Sequence, residues 1–252
     1  MIESIKYIFR GYRFRYKLDP QEINYMVSNL EAGDIAVDLG AHKGGYLYWM
    51  RKGVTKKGKV YGFEPQEKLF NYLKRVINML KHYNVVIENL GVSSQEGEVK
   101  FYIPKTKKGY SPVARIDFLD DETPIAECKI KVTTLDKYFY DRQIYPSFIK
   151  IDVEGHEKEV LLGGINLLRT YSPKLLMECE NRHLKDGNIF EVFDILLKLG
   201  YNGYFFDNKK LKSINDFKPE IYQKKTSGRF WEAKGYVNNF MFEKPKTAAN
   251  KK

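Results

Sequence analysis

Apolar and polar positions follow two rhythms along the chain, and their order predicts strands and helices in turn. DIAVDL (34–39) is a short apolar run closed by Asp38-Leu39-Gly40, the form of a buried strand. From about Gly45 to Lys52 the rhythm is helical, with Gly53 as its stop. KVYGFE (59–64) reads as a second strand. Pro65 then opens a helix whose Leu69, Leu73, Val76, Ile77 and Leu80 share one face. NVVIEN (84–89) is a third strand. EVKFYIP (98–104) alternates like an antiparallel or edge strand, and KIKVTTL (129–135) follows it. Between them residues 105–126 read as a long loop, a length that compact domains usually keep for function. FIKID (148–152) is again a buried strand, with a helix from about His156 to Leu168 behind it. KLLMECE (174–180), a helix near Ile189–Leu199, YFF (204–206) and VNNFMF (237–242) complete the series.

Repeated strand–helix–strand units predict an α/β fold with a mainly parallel sheet and right-handed crossovers. Such sheets bind ligands beyond the carboxyl ends of their strands, near the switch in strand order. Asp38, Glu64, Asn89, Asp152 and Glu178 close the strands and are the positions to watch.

Composition agrees with a soluble globular protein: 252 residues, 43% hydrophobic, are enough for a sizeable core. Cys128 and Cys179 provide neither a disulfide framework nor metal-site spacing, and a reducing, cytoplasmic setting is expected. No apolar run approaches the ~20 residues that span a bilayer. The first residues, MIESIKYIFRGYRFRYK, lack the apolar core of a secretory signal. The net charge of +11 is concentrated at the ends. Residues 1–17 carry five cations against Glu3, and residues 209–252 carry 12 basic against 4 acidic side chains, leaving the middle at −1. Tyr7, Phe9, Tyr12, Phe14 and Tyr16 interleave with the first group of cations. Such ends suit peripheral contact with an anionic membrane or a phosphorylated substrate, or simply a segment packed on the domain by its aromatics. No nucleic-acid motif accompanies the charge, so no nucleic-acid partner is expected.

The first strand runs into Asp38-Leu39-Gly40-Ala41-His42-Lys43-Gly44-Gly45. A dinucleotide fingerprint needs glycine where His42 stands, so that the backbone can approach a pyrophosphate. No phosphate-cradling GK[ST] is present either. A nucleoside without phosphate fits better, and S-adenosylmethionine is one. Gly40 and Gly44 would let the backbone pass its methionine part, Asp38 would serve the ammonium directly or through water, and Glu64 would accept both ribose hydroxyls, since an ionised carboxylate offers acceptors only. His42, Tyr46, Pro65, Asn89 and Asp152 complete the expected cofactor contacts. A purely structural glycine turn with a solvated Glu64 is the alternative.

VDLGAHKGGYLYWM, VYGFEP, FIKIDVEGHEKEVLLGG and LLMECENRHL closely resemble the FkbM family of S-adenosylmethionine-dependent methyltransferases, over about residues 22–243. The resemblance implies a class I, Rossmann-like fold: a mainly parallel seven-stranded sheet with an antiparallel last strand. It sets apart a basic aromatic segment (1–21), an insertion or lid (97–134) and a basic disordered tail (244–252). It also implies O-methylation, often of sugars or natural products. The expected acceptor is a carbohydrate hydroxyl, with a nucleotide- or lipid-linked sugar or a surface polysaccharide among the options. The same chemistry on a small metabolite or peptide, or a binding protein without transfer, are the alternatives.

A sugar hydroxyl is a poor nucleophile, so a base or a metal should assist it. Candidates cluster in IDVEGHE (Asp152, Glu154, His156) and ECENRH (Glu178, Glu180, His183). Asp152 with Glu178 resembles the metal-binding arrangement of catechol O-methyltransferase-like enzymes and would suit Mg²⁺; otherwise the two carboxylates hold loops. His156 and His183 are the candidate bases, although His156 is as well placed to start its helix. Arg182 suits an anionic substrate or an ion pair with Glu180. Tyr110, Ser111 and Arg115 mark the lid; Trp49 is expected in the core, and Tyr46 fits either core or cofactor wall.

Overall fold

The computed structural model describes residues 2–104, 114–116, 125–184, 187–226 and 228–245. Helix α1 (Ile2–Arg13), a π-helical turn (Phe14–Leu18) and α2 (Pro20–Ser28) precede the first strand. Then come β1 (Ile35–Leu39), α3 (Gly45–Val54), β2 (Lys59–Phe63), α4 (Glu67–Met79), β3 (Val85–Glu88), β4 (Gly91–Val92), β5 (Gly97–Pro104) and β6 (Ile125–Thr133). The second half holds β7 (Phe148–Ile151), α5 (Glu157–Leu162), α6 (Ile165–Thr170), β8 (Lys174–Glu178), α7 (Ile189–Lys198), β9 (Asn202–Asp207), β10 (Lys210–Ser213), α8 (Pro219–Tyr222) and β11 (Asn239–Glu243).

The main sheet has the order β10-β9-β11-β8-β7-β1-β2-β3. β1, β2, β3, β7 and β8 are parallel to one another, and β11 runs antiparallel between β8 and β9. The strand order reverses at β1, which has β2 on one side and β7 on the other, so its carboxyl end opens the crevice. Among the described residues this sheet has eight strands where seven were expected, because β10 folds back on β9 as an edge hairpin. β4, β5 and β6 form a separate three-stranded sheet, so the region expected as an insertion has a frame of its own. The single helix expected over 156–168 is broken into α5 and α6. A Cβ on Gly163 would lie 2.1 Å from the Ser93 carbonyl oxygen, and one on Gly164 2.8 Å from Leu135, so the chain turns where only glycine fits.

Apolar layers cover both faces of the sheet. Phe193, Phe240 and Phe242 sit on one side, and Leu47, Trp49 and Met241 on the other. The aromatic amino-terminal segment packs on this second layer. Tyr7 is fully buried with its ring edge-on to Tyr48 at 5.9 Å, and the Trp49 indole donates to the Gly11 carbonyl at 2.7 Å. Trp49 is therefore core, as its helical spacing suggested. α2 crosses the boundary expected at 21/22. Tyr110 and Ser111 lie outside the described residues, as does most of the tail from 246 onward. No helix among the described residues is long and apolar enough to cross a membrane.

One glycine fixes the geometry of the crevice. Gly40 has φ +78°, and a Cβ there would stand 1.9 Å from the Asp152 carbonyl oxygen, where β1 and β7 end side by side. Backbone cannot yield as a side-chain tip would. Gly40→Ala is expected to cost on the order of 3 kcal/mol, read as a fall of roughly 5–10 °C in melting temperature.

Candidate active site

A cavity of about 750 Å³ lies over the carboxyl ends of β1, β2, β7 and β8. Glu64, just past β2, forms part of its floor and is 3% exposed. Its Oε2 accepts the backbone N–H of His42 at 2.7 Å and its Oε1 that of Gln66 at 2.8 Å. The carboxylate is thereby locked in place, and each oxygen keeps a lone pair for a ligand. Burial raises its pKa to about 7 despite these two donors. His42 reaches its bond through a left-handed backbone (φ 46°), and burial lowers its imidazole to about 4. Asn89 does not line the cavity. Its amide donates to the carbonyls of Glu64 and Pro65, both at 3.0 Å, and pins the turn that carries Glu64. Phe63, Leu90 and Val92 form an apolar strip of the same wall.

Beside Glu64 sits a buried charge cluster. Lys150, in the middle of β7, is 2.8 Å from Asp152 and 3.7 Å from Asp38. Burial alone would discharge it, but the two carboxylates more than offset that and hold the ammonium charged. Asp38 is 1% exposed behind the wall, and burial lifts it to about 6 although Lys150 pulls the other way. Asp38 itself does not line the cavity; it holds Lys150. Asp152 does line the cavity, as do Gly40, His42, Tyr46 and Pro65. Tyr46 donates its hydroxyl to Asp19 at 3.0 Å and offers its ring to Lys150 at 4.7 Å. Gly44 does not line the cavity; a Cβ there would strike the Tyr7 ring at 2.5 Å.

The other carboxylates come from β7 and β8. Glu154 lines the cavity with a left-handed backbone (φ 57°), and its Oε2 lies 3.2 Å from His183 Nδ1. Burial, with Asp152 and Glu157 nearby, pushes the Glu154 carboxyl well up. Glu178 also lines the cavity and accepts the Asn238 amide at 2.8 Å; burial and Asp152 raise it too. His183 is buried behind Glu154 and does not line the cavity, and burial together with Arg182 lowers it to about 4. Glu180 is also behind the wall, held by Arg182 Nε at 2.6 Å and by the Tyr236 hydroxyl. Burial would raise Glu180, yet these donors keep it below the usual carboxylate range. His156 is elsewhere, with its Nε2 2.9 Å from Ser93 Oγ at the start of α5.

Several wall residues were not expected. Arg13, Phe14, Lys17, Asp19 and Glu22 arrive from the amino-terminal segment, and Trp231, Tyr236, Asn238 and Asn239 from the approach to β11. Arg182 stacks 4.5 Å over Trp231, so the Glu180 ion pair braces that wall. Ala114 and Ile116 reach the cavity from the region expected as a lid, while Arg115 between them is buried. A lysine between the two isoleucines of FIKID and the adjacent amides in VNNF were the signals available. Among the described residues no group of three or more His, Cys, Asp or Glu side chains is arranged for a metal ion.

The Methyltransferase FkbM domain family matches residues 38–206. The hexuronic acid methyltransferase AglP of Haloferax volcanii is 28% identical over 171 residues, which span 67% of this chain and 65% of that protein. The chain thus spans slightly under two thirds of that relative's length. Methyltransferase FkbM from Methylobacillus flagellatus superposes with a TM-score of 0.52 at 16% identity, over 95% of this chain and 54% of that one. A putative rRNA-methylase from Clostridium thermocellum reaches 0.51 at 12% identity, over 90% and 95%. These two structures speak for the fold alone. The family match begins at Asp38 and takes in Glu64, Lys150, Asp152, Glu154 and Glu178, so the chain belongs to the FkbM family of methyltransferases.

Proposed function

We propose that this protein transfers the methyl group of S-adenosylmethionine to a hydroxyl oxygen of a carbohydrate. The observation that carries the reading is Glu64: a buried carboxylate, fixed by two backbone donors, with acceptor capacity left at both oxygens. That chemistry suits a ribose diol. Phe63, Leu90 and Val92 offer the apolar strip a base requires, and Asp152, 27% exposed at its side chain, takes the ammonium role expected of Asp38. When bound, S-adenosylmethionine supplies a methyl carbon activated by its sulfonium. Lys150 already places a fixed positive charge between Asp38 and Asp152, so this reading needs no Mg²⁺.

Glu154 is the general base. Burial raises its pKa, so once ionised it accepts the hydroxyl proton more strongly than an ordinary carboxylate, and His183 stands behind it with Nδ1 3.2 Å from Oε2. Glu154→Gln is expected to leave binding of S-adenosylhomocysteine intact and to slow transfer by about 10²–10³-fold. His183→Ala should slow it by about tenfold and shift the pH profile of kcat, a response that a merely structural histidine would not give. Pre-steady-state transfer and ligand titration separate the two effects.

The acceptor class rests on a second pocket of about 200 Å³ that shares Glu22, Tyr236, Asn238 and Asn239 with the main cavity. Gln21 and Asn208 add amides there and Phe206 an aromatic face, a lining suited to an array of hydroxyls. The Haloferax volcanii relative, a hexuronic acid methyltransferase, supports the same class. Incubation with methyl-labelled S-adenosylmethionine and a panel of hexuronic acid glycosides, neutral oligosaccharides, phenols and RNA tests it. Label is expected as an O-methyl ether on a saccharide. Label confined to phenols or RNA contradicts the reading.

Glu64 also predicts a pH dependence. Its raised pKa contributes stability that is fully present below its ordinary value of 4.5 and is lost as the pH rises through about 7. Two hydroxyl donors favour the ionised form. Affinity for S-adenosylhomocysteine should therefore increase between about pH 5 and pH 8 with net proton release, as calorimetry in buffers of different ionisation enthalpy would report.

A further inference from the structure

Helix α1 has two apolar faces. The inner one, Ser4, Tyr7 and Gly11, is buried on the domain. The outer one repeats at intervals of three and four: Ile2, Ile5, Phe9, Tyr12 and then Tyr16 in the π-helical turn, which are 66%, 59%, 69%, 41% and 69% exposed. Single exposed apolar residues are ordinary, but five in one stripe are a surface. Its flank is basic. Lys6, Arg10 and Arg13 follow on one side of the helix, and Lys17 is exposed just beyond. The one acid of the segment, Glu3, is turned onto α4, where Arg75 holds it at 3.2 Å.

We propose that this stripe docks the protein on an anionic lipid surface, with α1 lying in the interface. An interfacial helix combines a large apolar face with cations at its rim, which is the composition found here. The charge discriminates between occupants. A second copy placed stripe to stripe would set the +4 of residues 1–17 against its own equivalent. A nucleic acid would meet the cations but leave Ile2, Ile5 and Phe9 in water. A lipid surface takes both. The segment that carries the stripe continues into the cavity wall, which includes Arg13, Phe14, Lys17 and Leu18. A docked molecule would hold that wall close to the headgroups.

Cosedimentation with sucrose-loaded vesicles tests this without reference to catalysis. The wild type is expected to bind phosphatidylcholine vesicles containing about a third phosphatidylglycerol, and to be released by high salt. Ile5→Glu with Phe9→Glu should weaken binding by at least about tenfold. Tyr83→Glu, at an 82% exposed position after α4, should leave it unchanged. The proposal is overturned if wild type stays in the supernatant, or if both variants bind alike. It is equally overturned if sedimentation without lipid shows a dimer that Ile5→Glu/Phe9→Glu abolishes, or if RNA competes the protein off while neutral and anionic vesicles bind alike.

Discussion

Glu64→Ala is expected to reduce affinity for S-adenosylhomocysteine by at least about a hundredfold, since two hydrogen bonds to a charged acceptor are worth about 1.5–3 kcal/mol each. The loss extends beyond the ligand contacts. Without the carboxylate, the N–H groups of His42 and Gln66 lose the acceptors that shape the turns after β1 and β2. Glu64→Gln is the informative companion. It keeps the volume but presents an amide N–H₂ to one of those two donors, so it should bind better than alanine and worse than wild type. Equilibrium dialysis with labelled ligand distinguishes the three. Equal affinity in all of them would remove Glu64 from the cofactor site.

Lys150→Met has the largest expected effect on stability. Removing one partner of a buried ion pair costs about 3–5 kcal/mol, because the charges left behind stay desolvated. Here two carboxylates, Asp38 and Asp152, are left. For a chain of this size the melting temperature should fall by about 10 °C at pH 8. Without the ammonium the Asp38 carboxyl, already lifted by burial, is raised further, and a raised carboxyl contributes stability at low pH that is lost as the pH rises. The deficit should therefore shrink on going to pH 5. A deficit that is constant with pH would mean that methionine fails for reasons of packing rather than charge.

The sheet was legible because buried parallel strands are short apolar runs closed by glycines and carboxylates, and DIAVDL, KVYGFE and FIKID have that form. Glu64 was legible for the same reason: it ends a strand next to the glycine turn. The break between α5 and α6 was not, since Gly163 and Gly164 are called for by Ser93 and Leu135, residues distant in sequence. Asp38 read as a ligand because strand ends point at the crevice, but Lys150 from the neighbouring strand captures it. His183 read as a base because imidazole titrates near neutrality. Burial behind Glu154 lowers it, and Glu154 rather than His183 lines the cavity. The cavity wall from Arg13 to Glu22 was hidden by its composition, which looks like a surface segment until Tyr7 and Phe14 are seen packed on α3.

Titration of the wild-type protein with S-adenosylhomocysteine by calorimetry at pH 8 tests the central claim most directly. The account predicts saturable one-to-one binding, unchanged by chelators and lost in Glu64→Ala. A folded protein that releases no heat and shows no thermal shift with the nucleoside would contradict it.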